Sequence, residues 1–287
     1  MRICVIGLGI IGKVWAQHLH TDGHEVRTWN RSPQPQAPGF TADLVAAATG
    51  AELNLIVIAD PPAVAAVLAR IVGELKPGTV VAQHSTVGVE DTKTYARQVQ
   101  ERGGRFLDMP FTGSKLAAEA RQNVFFLGDD AGAFPQVEAV YRRLSKAVLP
   151  IGPIGSATAI KLCFNLLIAN INQAYCESYA LATACGIPAE TFFSALTYNV
   201  AQSPLVELKK PKYISGDYSP QFSIKHMHKD LRLVLALAAG AGLDLAETAV
   251  VERAYAEAGR RGLGDSDFSA LLEIARSSAK AGPQLFP

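Results

Sequence analysis

The chain has 287 residues, of which 49% are hydrophobic and 18% are charged, and its 27 lysines and arginines nearly balance its 26 aspartates and glutamates. A chain of this length suits two domains with sizeable cores. The balanced charge leaves no field that would attract nucleic acid or an anionic membrane surface, so we expect a small-molecule partner.

The four cysteines lie singly in apolar segments, at Cys4, Cys163, Cys176 and Cys185. None has the spacing of a zinc site or a disulfide framework, so we expect no metal and four buried thiols in a reducing compartment. Because the first predicted strand begins at residue 2, we expect no export leader and a cytoplasmic protein. The long apolar segment 157–185 is interrupted by amide and charged side chains, which favours a buried helix over a membrane span.

The first half of the chain alternates short β-branched segments with turns and helical patterns. Strands are predicted at RICVI, HEVRTW, LNLIVIA, TVVAQH, RFLDMPF and AVLPIG. This alternation is typical of βαβ units, which build a doubly wound parallel sheet with helices on both faces. We therefore predict an α/β, Rossmann-type domain over residues 1–156.

No strand is predicted beyond residue 156. Helices are predicted over residues 157–185, 189–199, 226–241, 246–259 and 266–278, separated by turn signals such as GIP, SGDYSP and GLGDSD. We predict an all-α domain over residues 157–287, joined to the first domain by its long first helix. That apolar helix buries a face either against a second subunit, in a homodimer or tetramer, or against the core of its own domain.

A glycine-rich turn follows the first strand directly. The segment GLGIIG has G-x-G-x-x-G spacing and consists of Gly7, Leu8, Gly9, Ile10, Ile11 and Gly12. Such glycines allow a tight turn and let backbone N–H groups approach a pyrophosphate at a helix N-terminus. A purely structural turn is the alternative, but a helix and a second strand within about 30 residues favour a dinucleotide site.

The end of the second strand has Asn30, Arg31 and Ser32 in place of the acidic residue that binds the ribose 2′-hydroxyl of NAD. Arg31 can bind a 2′-phosphate through charge-assisted hydrogen bonds and Ser32 can donate another, so the sequence favours NADP. The alternative is a solvated turn that contains an arginine by chance. After a later strand, Ser85 and Thr86 either reach the nicotinamide and ribose or cap a helix.

Lys161 lies in an otherwise apolar part of the predicted long helix. Asn165 follows one helical turn later, and Asn172 falls near the same stripe. A lone lysine in such a helix usually extends to solvent or pairs with a carboxylate. Here, however, Gly152 and Gly155 precede it in the segment GPIGSATAIKLCFN.

That segment resembles the G-x-x-G-x-x-x-x-x-K-x-x-x-N signature of the β-hydroxyacid dehydrogenase family, which includes 3-hydroxyisobutyrate dehydrogenases and glyoxylate/succinic semialdehyde reductases. GLGIIG is similar to the dinucleotide loop of the family, HSTVG to its nicotinamide-side loop, DMPFTGSKLAAEA to its substrate loop and HKDLRL to its C-terminal motif. The resemblance covers nearly the whole chain and has these motifs in the family's order.

The resemblance implies that Lys161 is the catalytic acid and base and that Asn165 is its positioning partner. It also implies that Lys229 lies over the nicotinamide and the substrate. The substrate carboxylate would be held by Thr112, Gly113 and Ser114. Donors of this kind suit a carboxylate, and an ammonium can protonate an alkoxide that forms as hydride arrives.

Three positions, Thr112, Ser114 and Arg121, depart from the usual family pattern. Thr112-Gly113-Ser114 replaces Ser-Gly-Gly and is closer to the form seen in glyoxylate/succinic semialdehyde reductases, and Arg121 replaces a glycine. We expect NADPH-dependent reduction of a small aldehyde or keto acid, reversible as a 3-hydroxyacid dehydrogenase. The alternatives are an imine reductase on the same fold and a non-catalytic NADP-binding module.

Overall fold

The computed structural model describes residues 1–277. The chain divides into a first unit, Met1–Leu162, and a second unit that starts at Cys163. The strands of the first unit are β1 (Arg2–Ile6), β2 (Glu25–Trp29), β3 (Leu53–Ile56), β4 (Val80–Gln83), β5 (Arg105–Asp108), β6 (Phe111–Thr112), β7 (Asn123–Gly128) and β8 (Ser145–Gly152). Its helices are α1 (Gly12–Thr21), α2 (Leu44–Ala48), α3 (Pro61–Ile71), α4 (Val89–Gln100), α5 (Lys115–Glu119) and α6 (Glu138–Leu144).

The strands form one sheet in the order β2-β1-β3-β4-β5-β7-β6, with β8 paired to β7. The first five strands of this order are parallel, which confirms the Rossmann-type prediction. Beyond them the sheet is mixed, because β7 runs antiparallel to both β5 and β6. The expectation of a wholly parallel sheet is therefore wrong at this edge.

The mixed edge arises where the predicted strand RFLDMPF is divided. Pro110 has no N–H to donate to a ladder, so β5 ends at Asp108 and β6 begins at Phe111. The strand β7, with sequence NVFFLG, was not predicted. Its pairing with β6 places the loop between them, which contains the predicted substrate residues, at the sheet edge.

The core of the first unit lies on both faces of the sheet. In β1, Ile3 and Val5 pack into one apolar cluster and Cys4 and Ile6 into the other. Alternate side chains of a strand point to opposite faces, so a strand covered on both sides is apolar throughout. The sheet thus supports the turns at the carboxyl ends of its parallel strands.

The second unit is helical. Helix α7 (Ser156–Ala184) begins in the first unit and continues into the second, and α8 (Ala189–Leu196), α9 (Pro204–Ser215), α10 (Ile224–Gly240), α11 (Ala246–Ala258) and α12 (Leu272–Ser277) follow. Between residues 163 and 277 the only β-type pairing is an isolated bridge between Ser223 and Asp267. The predicted helical C-terminal domain with a long first helix is confirmed.

One helix of this unit, α9, was not predicted. Ser203 Oγ accepts a hydrogen bond from Val206 N at 3.5 Å, Pro204 occupies the first turn, and Gly216 ends the helix with φ = 71°. Pro211 inside the helix and a weak apolar stripe concealed these end signals. The predicted helix 266–278 begins instead as a 3-10 turn, Phe268–Leu271, before α12, and Ser278 lies outside the described residues.

The long helix α7 is buried on one face only. Asn165, Ala169 and Cys176 are buried, whereas Leu167 is 51% and Leu181 is 66% exposed. The predicted burial of this helix therefore applies to one of its faces. None of the helices within residues 1–277 is long and apolar enough to span a membrane.

The expectation of four buried thiols also fails in part. All four cysteines are free, and Cys4 and Cys176 are buried, but Cys185 is only half-buried and Cys163 is exposed on α7. Burial raises the pKa of the Cys4 thiol to about 12. The apolar context of a cysteine therefore did not by itself determine its burial.

Candidate functional site

The glycine loop after β1 contains two glycines that the fold requires and one that it does not. A Cβ on Gly7 would lie 2.2 Å from the Val57 carbonyl oxygen, and one on Gly12 would lie 1.9 Å from the Gly7 oxygen. Gly7 also has φ = +104°. At Gly9, by contrast, no described atom outside this glycine and its two chain neighbours lies within 4 Å of the Cβ position. Space beside a backbone N–H is what a pyrophosphate needs, so the loop fits a dinucleotide.

Asn30, at the end of β2, holds this loop in place. Its Oδ1 accepts a hydrogen bond from Leu8 N at 3.0 Å, and its Nδ2 donates to Ser32 O at 2.9 Å. The Gln34 side chain donates to Leu8 O at 3.0 Å from the same turn. The observed contacts of Asn30 therefore connect parts of the protein, and its predicted contact with a cofactor remains a prediction.

A cavity of about 440 Å³ lies beside the glycine loop, within the first unit. Arg31 and Ser32 line one side, and α3 lines another with one of its faces, formed by Ala63, Ala66, Val67 and Arg70. This face combines a flat apolar surface with a cation at its far end. Among the described lining residues the one carboxylate is Asp60, whose Oδ1 accepts from Ala63 N at 2.9 Å and caps α3.

Arg70 was missed by the sequence analysis. The helical spacing from Ala63 to Arg70 could have indicated a shared helix face. That face indicates a cofactor site only once the end of β2 is known to line the same cavity. With Arg31 it places two guanidinium groups at a cavity suited to a flat ring. The two guanidinium groups favour an anionic ligand, and the Asp60 carboxylate opposes it less because it accepts a hydrogen bond at the N-terminus of α3.

Ser85 ties two strand ends together. Its Oγ accepts a hydrogen bond from Ile58 N at 2.8 Å, and its backbone is bonded by the Gln83 side chain. Helix α4 starts at Val89 with Gly88 as its cap residue, so the helix-cap alternative is wrong for both Ser85 and its neighbour Thr86. Ser85 is buried and Thr86 is half-buried.

The predicted substrate loop is shaped around Gly113. This residue has φ = +121°, and a Cβ there would lie 2.5 Å from Asn123 Nδ2. Asn123 in turn accepts from the Trp15 indole at 3.1 Å and donates to Thr112 O at 3.4 Å. Thr112 and Gly113 are exposed and Ser114 is half-buried at the start of α5. The loop thus combines a fixed backbone with hydroxyl groups beside it.

Arg121, the departure from the usual glycine, keeps a glycine-like backbone. Its φ is 58°, and its guanidinium donates two hydrogen bonds to Asp22, at 2.7 and 3.0 Å. Arg143 donates to the same carboxylate at 2.9 Å. These bonds from Arg143 and Arg121 hold the pKa of Asp22 well below its usual range. The arginine is a structural tie between α1 and the turn after α5.

Asn165 and Lys229 are connected by a residue that sequence analysis missed. Asn165 Nδ2 donates to Asp230 Oδ2 at 2.6 Å, and Lys229 Nζ lies 2.6 Å from Asp230 Oδ1. Asn165 and Asp230 are buried, whereas Lys229 is half-buried. The available signal was the position of Asp230 directly after Lys229 in HKDLRL, but the sequence does not show that its partner is on α7.

This arrangement determines how the Asn165 amide is oriented. A carboxylate only accepts hydrogen bonds, so the amide nitrogen must face Asp230 and Oδ1 remains an acceptor on the other side. Lys161 is half-buried one helical turn earlier. Asn172 does not share this environment, because it bonds the hydroxyls of Tyr213 and Tyr255 at 2.7 and 3.2 Å in the helical core.

Comparison with known proteins supports one family along the chain. Residues 2–152 match the family profile described as the NAD binding domain of 6-phosphogluconate dehydrogenase. Residues 155–275 match the profile described as NAD-binding of NADP-dependent 3-hydroxyisobutyrate dehydrogenase.

Individual relatives agree over their whole length. Glyoxylate/succinic semialdehyde reductase 1 of Arabidopsis thaliana is 28% identical over 287 residues, which covers 97% of this chain and 99% of that protein. The 2-hydroxy-3-oxopropionate reductase of Escherichia coli (strain K12) is 28% identical over 283 residues, with 95% and 96% coverage. The solved 3-hydroxyisobutyrate dehydrogenase of Mycobacterium tuberculosis shares the fold, with a TM-score of 0.86, 23% identity, and coverage of 96% and 99%. The chain therefore belongs to the 3-hydroxyisobutyrate dehydrogenase-like family of NAD(P)-dependent β-hydroxyacid dehydrogenases.

Proposed function

We propose that the protein is an NADPH-dependent reductase of small aldehyde or keto acids, of the glyoxylate or semialdehyde type, that also works in reverse as a 3-hydroxyacid dehydrogenase. The observation that carries the proposal is the buried hydrogen bond from Asn165 to Asp230, together with the ion pair between Asp230 and Lys229. Asn165 lies one helical turn after Lys161. Burying a carboxylate is costly unless it is paired. A protein that only bound a dinucleotide would not need a buried carboxylate to orient an amide beside a lysine.

The cofactor half of the proposal is supported by the cavity beside the glycine loop. No carboxylate stands at the end of β2, and Arg31, Ser32 and Arg70 line the cavity. Guanidinium groups favour a ribose 2′-phosphate, which NADP has and NAD lacks. When bound, the reduced nicotinamide supplies the hydride. The residues of this chain bind the cofactor and handle the proton.

The substrate half of the proposal is supported by the loop after β6. Thr112 and Ser114 provide hydroxyl groups, and Gly113, with φ = 121°, has no Cβ beside its N–H. Hydroxyl and backbone N–H donors suit a carboxylate. We assign this loop to the carboxylate of the substrate, and the substrate-binding role of Lys229 stays a prediction.

Lys161 handles the proton in this proposal. Its ammonium donates a proton to the carbonyl oxygen during reduction, and the resulting amine removes it from the hydroxyl during oxidation, so the proton balance closes in both directions. Asn165 presents Oδ1 as a fixed acceptor because its nitrogen is held by Asp230. Such an acceptor orients an ammonium better than a freely rotating amide would.

The proposal is tested with the purified full-length chain, NADPH and three substrates: succinic semialdehyde, butanal of matched length, and a cyclic imine. We expect turnover of the acid semialdehyde to exceed that of butanal, and a lower kcat for Lys161→Met by about 10²–10⁴-fold with an unchanged Kd for NADPH. Lys146→Met, an exposed lysine of the same unit, is the matched control.

Two results would contradict this proposal. Preferred turnover of the imine would favour the imine reductase alternative, which changes the acceptor and keeps the cofactor. NADPH binding without turnover of any keto acid, semialdehyde or imine would favour a non-catalytic module. Turnover by Lys161→Met at the wild-type rate would remove the lysine from the mechanism.

A further inference from the structure

One buried carboxylate joins the strand that leads to the substrate loop to the helix that contains Lys161. Asp108 is the last residue of β5 and is fully buried. Its Oδ2 accepts hydrogen bonds from Gly155 N at 2.9 Å and Thr158 N at 3.0 Å, and its Oδ1 accepts from Thr158 Oγ1 at 2.7 Å. All these groups lie in the first unit, as Lys161 does.

Asp108 acts as a helix cap that comes from a distant part of the chain. The first N–H groups of a helix have no partner within it, and a carboxylate is favoured there by the positive end of the helix. Caps usually come from the residue just before the helix. Here the carboxylate is 47 and 50 residues away in sequence from Gly155 and Thr158. The cap therefore fixes the position of the first turn of α7 relative to β5, and it also provides acceptors for the first N–H groups of the helix.

The surroundings of Asp108 leave it little freedom. A Cβ on Gly128 would lie 3.1 Å from Asp108 Oδ2 and 2.9 Å from the Pro153 oxygen, so the strand next to it must approach without a side chain. Thr158 Oγ1 also lies 2.9 Å from Thr92 Oγ1 of α4. Burial raises the pKa of Asp108, and the bonds from Thr158 and Gly155 oppose that rise. Both carboxylate oxygens act as acceptors at fixed positions.

We propose that Asp108 is a positioning residue for Lys161. By fixing the first turn of α7 at the end of β5, it sets where the lysine stands relative to Thr112 and Gly113, which lie at the end of the next strand, β6. The consequence for catalysis rests on the reductase function proposed above. The proposed effect of Asp108 on the first turn of α7 does not rest on that function, because it concerns only how the helix starts.

The kinetic test compares Asp108→Ala with three variants of the same turn. An alanine removes the acceptor oxygens from the N–H groups of Gly155 and Thr158 and from the Thr158 hydroxyl, so we expect kcat to fall by about 10²-fold, a loss typical of a catalytic group displaced by about 1 Å, with an unchanged Kd for NADPH. Thr158→Val should lose part of this activity, and Thr158→Ser, which keeps the hydroxyl, should retain it. Ser156→Ala removes a hydroxyl that bonds Pro153 O instead and is the matched control.

The mechanical test measures backbone hydrogen exchange without substrate. In Asp108→Ala, or in Thr158→Val if the first variant does not fold, residues 155–161 should exchange at least about tenfold faster while the remaining helices keep their protection. Asp43→Ala, which removes the side-chain cap of α2, should accelerate exchange there and not in α7.

Distinct outcomes overturn the two proposals. Unchanged exchange at residues 155–161 overturns the role of Asp108, whatever the activity of the wild-type chain. A parallel loss of kcat, NADPH affinity and protection throughout the unit also overturns it, because Asp108 would then only stabilise the fold. A wild-type chain that reduces no carbonyl acid overturns the reductase function, and the exchange result still decides the role of Asp108.

Discussion

The cofactor loop of the first unit and the buried polar groups of the second unit are organised in different ways. In the first unit the cofactor loop depends on backbone geometry, with Gly7 and Gly12 in positions where a Cβ would collide with carbonyl oxygens. In the second unit buried side chains bond one another across long sequence separations. Asn172 bonds Tyr213, and Lys209 forms an ion pair with Asp267 at 2.9 Å.

This difference explains why motifs identify one unit better than the other. A glycine turn is specified by neighbouring residues, so its spacing is visible in the sequence. A buried side-chain network is specified by which helices pack together, and no local pattern encodes that. If the comparison is right, the largest stability losses come from single side chains of the second unit, and the clearest cofactor effects come from the first.

The largest expected effect concerns the buried pair of the second unit. Lys209→Met leaves Asp267 without its cation, and we expect a loss of about 3–5 kcal/mol in the free energy of unfolding, measured by urea titration. Both side chains are fully buried, at 1% and 0% exposure. Lys225→Met breaks an exposed pair with Asp265 and should have little effect. Equal effects of the two variants would refute a special role for the buried pair.

The second expected effect separates orientation from folding in the same unit. Asp230→Ala frees the Asn165 amide and removes an ion pair of Lys229, so we expect kcat to fall by about 10²-fold with an unchanged Kd for NADPH. Asp244→Ala, at an exposed position, is the control. A normal kcat in Asp230→Ala would show that the orientation of Asn165 does not matter for turnover.

The third expected effect tests the cofactor cavity of the first unit. Arg31→Ala should weaken NADPH binding by about 1.5–3 kcal/mol, or roughly 10- to 100-fold in Kd, and leave NADH binding unchanged, because only NADPH has the 2′-phosphate. Arg70→Ala should show the same preference with a smaller loss, whereas Arg97→Ala on α4 should show none. Equal wild-type efficiency with NADPH and NADH would contradict the assignment.

The fourth expected effect is a pH dependence that belongs to the first unit. Burial lowers the pKa of His84 to about 4, and its nitrogens contact Met109 O at 2.7 Å and the Tyr141 hydroxyl at 3.0 Å. The unfolded chain, with a histidine pKa near 6.5, therefore binds more protons between pH 6.5 and 4, and stability falls as the pH falls through this window. We expect a loss of about 2 kcal/mol between pH 7.5 and pH 5.

Urea titrations of the wild type, His84→Phe and the exposed His20→Phe check this assignment. His84→Phe should lower stability at pH 7.5, because two hydrogen bonds are lost, but should flatten the slope between pH 7.5 and 5. The slope of His20→Phe should match that of the wild type. An unchanged slope in His84→Phe would assign the acid sensitivity to another group.

The smallest expected effect concerns Arg121, where backbone strain and ion pairing oppose each other. Arg121→Gly relieves the left-handed backbone but removes two hydrogen bonds to Asp22 and one to Arg143 O, so the net loss should be about 1 kcal/mol. Arg121→Ala keeps the strain and loses the same bonds, so its melting temperature should be lower than that of Arg121→Gly. The reverse order would show that the left-handed conformation is not retained.

Much of the first unit was predictable because its signals are local. The strand β1, the glycine loop and β2 follow one another in the order that the sequence predicted, with β-branched alternation and turn residues between them. The strand β7 was missed because a short apolar segment next to a helix-forming one has no distinctive period. Helix α9 was missed because Pro211 concealed the pattern between its two end signals.

The sequence alone determined the glycine loop, the absence of a carboxylate after β2, and the placement of Lys161 one helical turn before Asn165, because each depends only on neighbouring residues and on the 3.6-residue period of a helix. The tertiary structure decided which carboxylates support these groups. Asp108 and Asp230 meet α7 from 50 and 65 residues away, and Arg70 borders the cofactor cavity only because α3 lies beside it. A carboxylate or guanidinium looks the same in the sequence whether it is solvated or buried against a partner, since its role depends on the contacts that folding creates.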